Sequence, residues 1–181
     1  MRVFPRPAAR GFCLTAIFGF SISAFGLTLE EIRETPELTP GRLAAYFSDF
    51  EFKFRREIQP PKVFLASRSG DCDDFSTLAA SVLREKGFTP RLIAVRMPGV
   101  VHVVCYVEET RSYLDYNYRG YFDRTVSSGR DIEEIADSVA KSYELEWTSA
   151  SEFTYQDRAK RLVRTVLSTK ESDKMIAGIF R

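Results

Sequence analysis

Ser69-Gly70-Asp71-Cys72-Asp73-Asp74-Phe75-Ser76 sets a cysteine where a helix begins. From Cys72 onward, Phe75, Leu78, Ala79, Val82 and Leu83 recur at the spacing of one helical face, and Gly87 supplies a C-terminal stop. A cysteine attacks as its thiolate, which a helix N-terminus or a neighbouring histidine favours. The free N–H groups of a first helical turn also suit an oxyanion formed in acyl transfer. Gly70, two residues before the thiol, is read as room for a substrate backbone.

A base for that thiol has a single source, because the chain holds one histidine, His102, in the apolar run Val100-Val101-His102-Val103-Val104. Segments 91–96, 100–108 and 112–118 are rich in Val, Ile and Tyr and read as strands, the last two forming a hairpin. A loop of two residues, Glu109-Thr110, or of four centred there, pairs Glu108 with Arg111 and sets Val104 opposite Asp115. His102 then shares a face with Asp115 on the diagonal, within hydrogen-bonding reach. A three-residue loop would turn Asp115 to the other face. The expectation is nucleophile Cys72, base His102 and orienting acid Asp115.

Cys105 stands an odd number of residues from His102 and is expected to face away from the site as a small core residue. A Cys72–Cys105 disulfide is hard to combine with a working thiol, and stays open as the structural alternative. Elsewhere, Leu43, Tyr46, Phe47, Phe50 and Phe54 predict a helix over 41–55, which Pro60-Pro61 follows. Gln59, just before that pair, is read as an exposed loop residue, with a second oxyanion donor as the alternative. Ile132, Ile135, Ala136, Val139 and Ala140 predict another helix, and Tyr143–Trp147 a strand. Ala159, Leu162, Val163, Val166 and Leu167 predict a last helix, with Arg158, Lys160, Arg161 and Arg164 on its solvated side. This order gives one α+β domain over 27–181.

The N-terminal stretch differs. Arg2, Arg6 and Arg10 precede the apolar run Phe12–Phe20, and small residues end in Ala24-Phe25-Gly26, so residues 1–26 read as a secretory signal peptide cleaved near Gly26. An uncleaved anchor is the alternative. The run is shorter than the roughly 20 residues of a membrane span, so no stable span is expected after cleavage. Cleavage removes three arginines and no acid, so 26 basic against 25 acidic side chains become 23 against 25, a net charge of −2. That balance does not point to nucleic acid as a partner.

Gly70-Asp71-Cys72-Asp73-Asp74-Phe75, His102 in a Val-rich strand and Tyr113-Leu114-Asp115 together resemble the transglutaminase-like superfamily over roughly residues 60–125. The resemblance implies a papain-like α+β fold, with the cysteine helix packed on an antiparallel β-sheet. It carries the three roles to Cys72, His102 and Asp115. For an exported bacterial member it implies hydrolysis of a peptide or amide bond in a protein or peptide substrate of the cell envelope. Acyl transfer to an amine, or a non-catalytic protein- or glycan-binding module, are the alternatives. No cofactor is required. Asp71, Asp73 and Asp74 resemble the acid-flanked cysteine of the calcium-dependent periplasmic adhesin-cleaving proteinases, which makes calcium a candidate ligand there. Two departures stand out: the strand reads His102-Val103-Val104 rather than His-Ala-Trp, and Trp147 lies far downstream. An aromatic stretch, Tyr113, Tyr116, Tyr118, Tyr121 and Phe122, reads as strand packing or as a groove lining. Oligomeric state is left open.

Overall fold

A computed structural model describes residues 27–117, 125–156 and 159–171. The expected signal peptide, Arg158 and the aromatics Tyr118, Tyr121 and Phe122 lie outside the described residues. Short helices lead: α1 (Leu29–Glu34), α2 (Pro40–Ala45) and α3 (Pro61–Ser67) are interleaved with the two-residue strands β1 (Glu51–Phe52) and β2 (Ser69–Gly70), which pair in parallel. Helix α4 (Cys72–Glu85) follows, then β3 (Pro90–Met97), β4 (Val100–Val107), β5 (Ser112–Leu114) and β6 (Val126–Ser127). Helix α5 (Ile132–Ser142), β7 (Ser149–Gln156) and β8 (Ala159–Leu167) complete the order.

Six strands form one sheet, β6-β5-β4-β3-β7-β8, with antiparallel pairing throughout. Its two faces are both apolar. Leu92, Ala94, Val103, Cys105 and Phe153 face α4 and the N-terminal helices, while Ile93, Val95, Val104, Tyr106 and Ala150 face α5. Period-two alternation in β3 and β4 therefore sorts side chains between two hydrophobic cores, and a strand covered on both sides reads as a near-continuous apolar run. The cysteine helix packed on an antiparallel sheet is the α+β architecture expected from the sequence.

Three local expectations give way to tertiary packing. The helix expected over 41–55 ends at Ala45, and the chain turns before entering β1. Phe47 and Phe50 are nevertheless buried, because their rings meet Phe64 and Phe75 at centroid distances of 5.0–5.7 Å. An aromatic cluster thus satisfies the apolar spacing that suggested a helix. The segment 143–147 is a turn, with Glu144 at positive φ, and the strand starts later at Ser149.

Residues 159–167 form an edge strand instead of a helix, paired with β7 across eight positions. Leu162 and Val163 are 66% and 59% exposed, so the apolar spacing there reported no buried face. Backbone pairing and the β-branched Val163, Thr165 and Val166 decide the outcome.

Gly70 has a tighter constraint than substrate access. A Cβ built on it meets Asp74 Oδ2 at 2.4 Å and the Phe64 ring at 2.8 Å, so its space belongs to the core. Gly70→Ala is expected to cost about 1–3 kcal/mol by overpacking, read as a lower urea midpoint with an unchanged slope.

Candidate active site

Helix α4 begins where it does because Asp71 caps it. The Asp71 carboxylate accepts from the backbone N–H of Asp73 at 3.1 Å and of Asp74 at 3.4 Å, while Asp74 Oδ2 accepts back from the N–H of Asp71 at 3.1 Å. This reciprocal capping box fixes Cys72 as the first helical residue. A second set of donors locks the same carboxylates from outside the helix. Arg55 N–H reaches Asp71 Oδ2 at 2.8 Å, and Gln59 gives Asp74 its backbone N–H at 2.6 Å and its side-chain amide at 2.8 Å. The other amide proton of Gln59 goes to the Ser69 carbonyl at 2.9 Å. Gln59 is therefore half-buried and fully engaged, neither a solvated loop residue nor a free oxyanion donor.

The hairpin supplies the other two groups. Cys105 pairs with Leu114, Tyr106 with Tyr113 and Val107 with Ser112, leaving a four-residue turn over 108–111. Extending that register sets Val104 opposite Asp115, and His102 Nε2 lies 2.8 Å from Asp115 Oδ1. Both side chains are buried, at 2% and 0% exposure. The same Asp115 oxygen accepts the backbone N–H of Asn117 at 2.9 Å, an Asx turn that orients the carboxylate. Asp115 Oδ2 is buried without a hydrogen-bond partner among the described residues.

Cys72 lies near enough to His102 to interact electrostatically with the imidazole. With Nε2 given to Asp115, Nδ1 is the ring nitrogen left for the thiol. The two arrive from different layers. His102 alternates with Val104 and Tyr106 on the α5 face, while α4 packs on the face that carries Cys105. Cys105 and His102 do lie on opposite faces, but it is Cys105 that faces the helix bearing Cys72. Thiol and imidazole can meet because β5 pairs with β4 only along Cys105–Val107, and among the described residues no strand flanks 100–104 on that side.

Burial by itself would lower the His102 pKa. The hydrogen bonds and charges of Asp115 and Cys72 outweigh it and raise the pKa to about 9. The ring of Tyr143, at the end of α5, sits 5.1 Å from the imidazole, and its hydroxyl accepts from the Asn117 side-chain amide. Burial pushes the Tyr143 hydroxyl well above its ordinary pKa, so it stays neutral. Tyr143 and Asn117 together cover the His102–Asp115 pair. Cys105 is a buried free thiol with its pKa pushed up to about 12 by desolvation, and Cys72 is likewise free.

Burial also raises the Asp73 carboxyl, against the opposing charge of Lys160 on β8; Asp71 and Asp74 raise it further. Lys160, expected on the solvated side of a helix, is exposed on a strand instead, with its ammonium 3.8 Å from the centroid of the Phe153 ring and its charge opposing that of Asp73. Calcium takes six to eight oxygens. Asp71 and Asp74 already give all four carboxylate oxygens to N–H donors, and among the described residues no three His, Cys, Asp or Glu side chains are placed to hold a metal. The expected metal set Asp71, Asp73 and Asp74 does not fit a calcium cage as arranged. A cavity of about 540 Å³ lined by Glu133, Asp137, Trp147 and Leu167 lies apart from the site and contains none of its residues.

No family model matches the chain, and no curated protein matches it. Solved structures of Legionella pneumophila LapG do align with it. The calcium-bound form is 13% identical, covering 83% of this chain and 84% of that one, with a TM-score of 0.48. Another LapG structure is 14% identical over 82% and 80% of the two chains, also with a TM-score of 0.48. The EGTA-treated form is 13% identical over 83% of each, again with a TM-score of 0.48.

As the single histidine, His102 gives one set of ring resonances, so NMR titration is expected to read a pKa of about 9 directly. Asp115→Asn and Cys72→Ala are each expected to lower it, since each removes a group that raises it. In the folded chain His102 keeps its proton up to about pH 9, against an ordinary value of 6.5. The pair therefore stabilises the fold fully below about pH 6.5, and this contribution is lost as pH rises through 9. Denaturant midpoints for wild type and His102→Gln should converge over that window.

Proposed function

We propose that this chain is an exported thiol hydrolase of transglutaminase-like type, periplasmic or secreted, that cleaves a peptide or amide bond with Cys72, His102 and Asp115. The observation that supports it is the buried His102–Asp115 pair set beside a cysteine at the first position of a capped helix. The thiolate is the attacking form of cysteine, and an adjacent imidazolium favours it.

In the proposed reaction the Cys72 sulfur bonds to the substrate carbonyl carbon. The carbonyl electron pair moves onto oxygen, near the Cys72 backbone N–H. Asp71 takes the N–H groups of Asp73 and Asp74, which leaves the Cys72 amide as the first-turn donor for that oxyanion. His102 then passes its proton to the leaving amine as the C–N bond breaks, giving a thioester. A water molecule gives a proton back to His102 and attacks the thioester, releasing acid and thiolate. Asp115 holds the ring through Nε2, and the Tyr143 ring packs near the imidazole. An amine in place of that water would give acyl transfer, so the nature of the second nucleophile separates those two activities.

No step needs a cofactor. No helix among the described residues is long and apolar enough to cross a membrane. The proposed substrate is an extended protein segment of the cell envelope, met after removal of residues 1–26.

Alkylation by iodoacetamide at pH 6, with the adduct located by peptide mass spectrometry, tests this reading. Cys72 is expected to react while buried Cys105 does not, and His102→Ala to slow Cys72 by about 10–100-fold. EGTA is expected to leave the rate within about twofold, in line with the oxygen bookkeeping at Asp71 and Asp74. A Cys72 rate indifferent to His102 would show that the three groups do not act together, and would favour a binding module on the same fold.

A further inference from the structure

The segment 51–55, whose backbone runs beside the start of the cysteine helix, carries two exposed aromatic rings, and no role described so far uses them. β1 pairs in parallel with β2, Glu51 opposite Ser69 and Phe52 opposite Gly70, and Lys53 N–H donates to the Gly70 carbonyl at 2.7 Å. Where the backbone ladder ends, Arg55 N–H continues it by donating to Asp71 Oδ2. Phe54 is thereby held alongside Asp71 and Cys72. Phe52 and Phe54 are two residues apart on an extended segment, so their side chains leave on the same side.

Phe52 leans on Tyr116 at a centroid distance of 6.2 Å, and Tyr116 is the residue after Asp115, stacked in turn on Phe75 at 5.1 Å. Phe52 thus lies between β2, which leads into the cysteine helix, and the loop that follows Asp115. Phe52 is 47% exposed and Phe54 77% exposed, although Phe47, Phe50, Phe64 and Phe75 nearby are almost fully buried. Gly70, opposite Phe52, has no side chain to cover it.

We infer that Phe52 and Phe54 form an apolar ledge that receives a large hydrophobic side chain of an extended polypeptide substrate, close to the bond cut at Cys72. This inference rests on the thiol-hydrolase reading and adds the class of residue that the site selects. The occupant is apolar because the ledge offers ring carbon and no charged group of its own. It sits close to the scissile carbonyl because Phe54 is held beside the helix start. Main-chain bonds from Lys53 and Arg55 fix the strand, so the ledge does not depend on either phenyl ring for its position.

Paired alkylators separate ledge from thiol. Rates of Cys72 modification on the mature full chain are measured with iodoacetamide and with N-benzyl iodoacetamide, each divided by the rate with glutathione. Wild type is expected to prefer the benzyl reagent by about tenfold, the gain from partly burying one phenyl group. Phe54→Ala should bring the ratio close to that of glutathione, Phe54→Leu should keep most of it, and Phe52→Ala should fall between. A wild-type ratio equal to that of glutathione, or one that Phe54→Ala leaves intact, overturns the ledge. Because the readout is a ratio, a thiol indifferent to His102 that still favours the benzyl reagent sinks the hydrolase reading and leaves the ledge standing.

Discussion

Two buried carboxylates, Asp71 and Asp74, hold the start of α4 in place, and the rest of the site hangs from that point. They are 4% and 2% exposed, and an ionised carboxylate so buried is tolerable only when its oxygens are bonded. Every oxygen is bonded, by amides from three separate stretches: Arg55, Gln59 and the helix start itself. Removing one donor would leave a buried charge short of a partner, which is costlier than the net worth of the bond. The lock therefore joins the loop before α3 to β2 and α4, and Gly70 is required because its missing side chain is the space that Asp74 fills. The same lock makes these acids poor metal ligands as they stand.

The sheet provides the second constraint. Both faces of its central strands, β3 and β4, are largely buried, so their apolar residues divide between the two cores, and a slip of one residue would exchange the two sets. His102 and Asp115 share a face because the four-residue turn at 108–111 fixes their register. The thiol comes from the other layer, at the extreme end of its helix, and meets the ring where β5 has stopped. A shared strand edge, rather than a shared face, brings nucleophile and base together.

Charge around the thiol is balanced by groups distant in sequence. Asp71, Asp73 and Asp74 crowd negative charge at the helix start, where the helix dipole favours it. Lys160 answers Asp73 from β8, and the His102–Asp115 pair answers Cys72 from the hairpin. Half-buried Arg91 ties β3 to its neighbours through Glu108 at 3.0 Å and Glu152 at 2.7 Å, and so steadies the strands that carry the base.

Helix α4, the strands through 114 and the parity that unites His102 with Asp115 were legible in the sequence. Each follows from a local rule: apolar period in a helix, alternation in a strand, and turn length in a hairpin. Asn117 also had a local signal, two residues after an aspartate. Tyr143 and Lys160 had none, since their partners are 28 and 87 residues away by sequence number, Asp115 and Asp73. Gln59 looked like a loop residue because nothing in its neighbours reveals the buried carboxylate it serves. The stretch 159–167 forms a strand despite its helical spacing, because an edge strand exposed at every residue but Val166 shows no burial period to contradict accidental i, i+3, i+4 spacing. The sequence by itself determined which residues share a helix face or a strand face, because those periods belong to the backbone. Only the tertiary structure decided which face meets which, and that Cys72 comes near His102 at a strand edge that no described strand flanks, because packing between layers depends on chain crossings that no local period encodes.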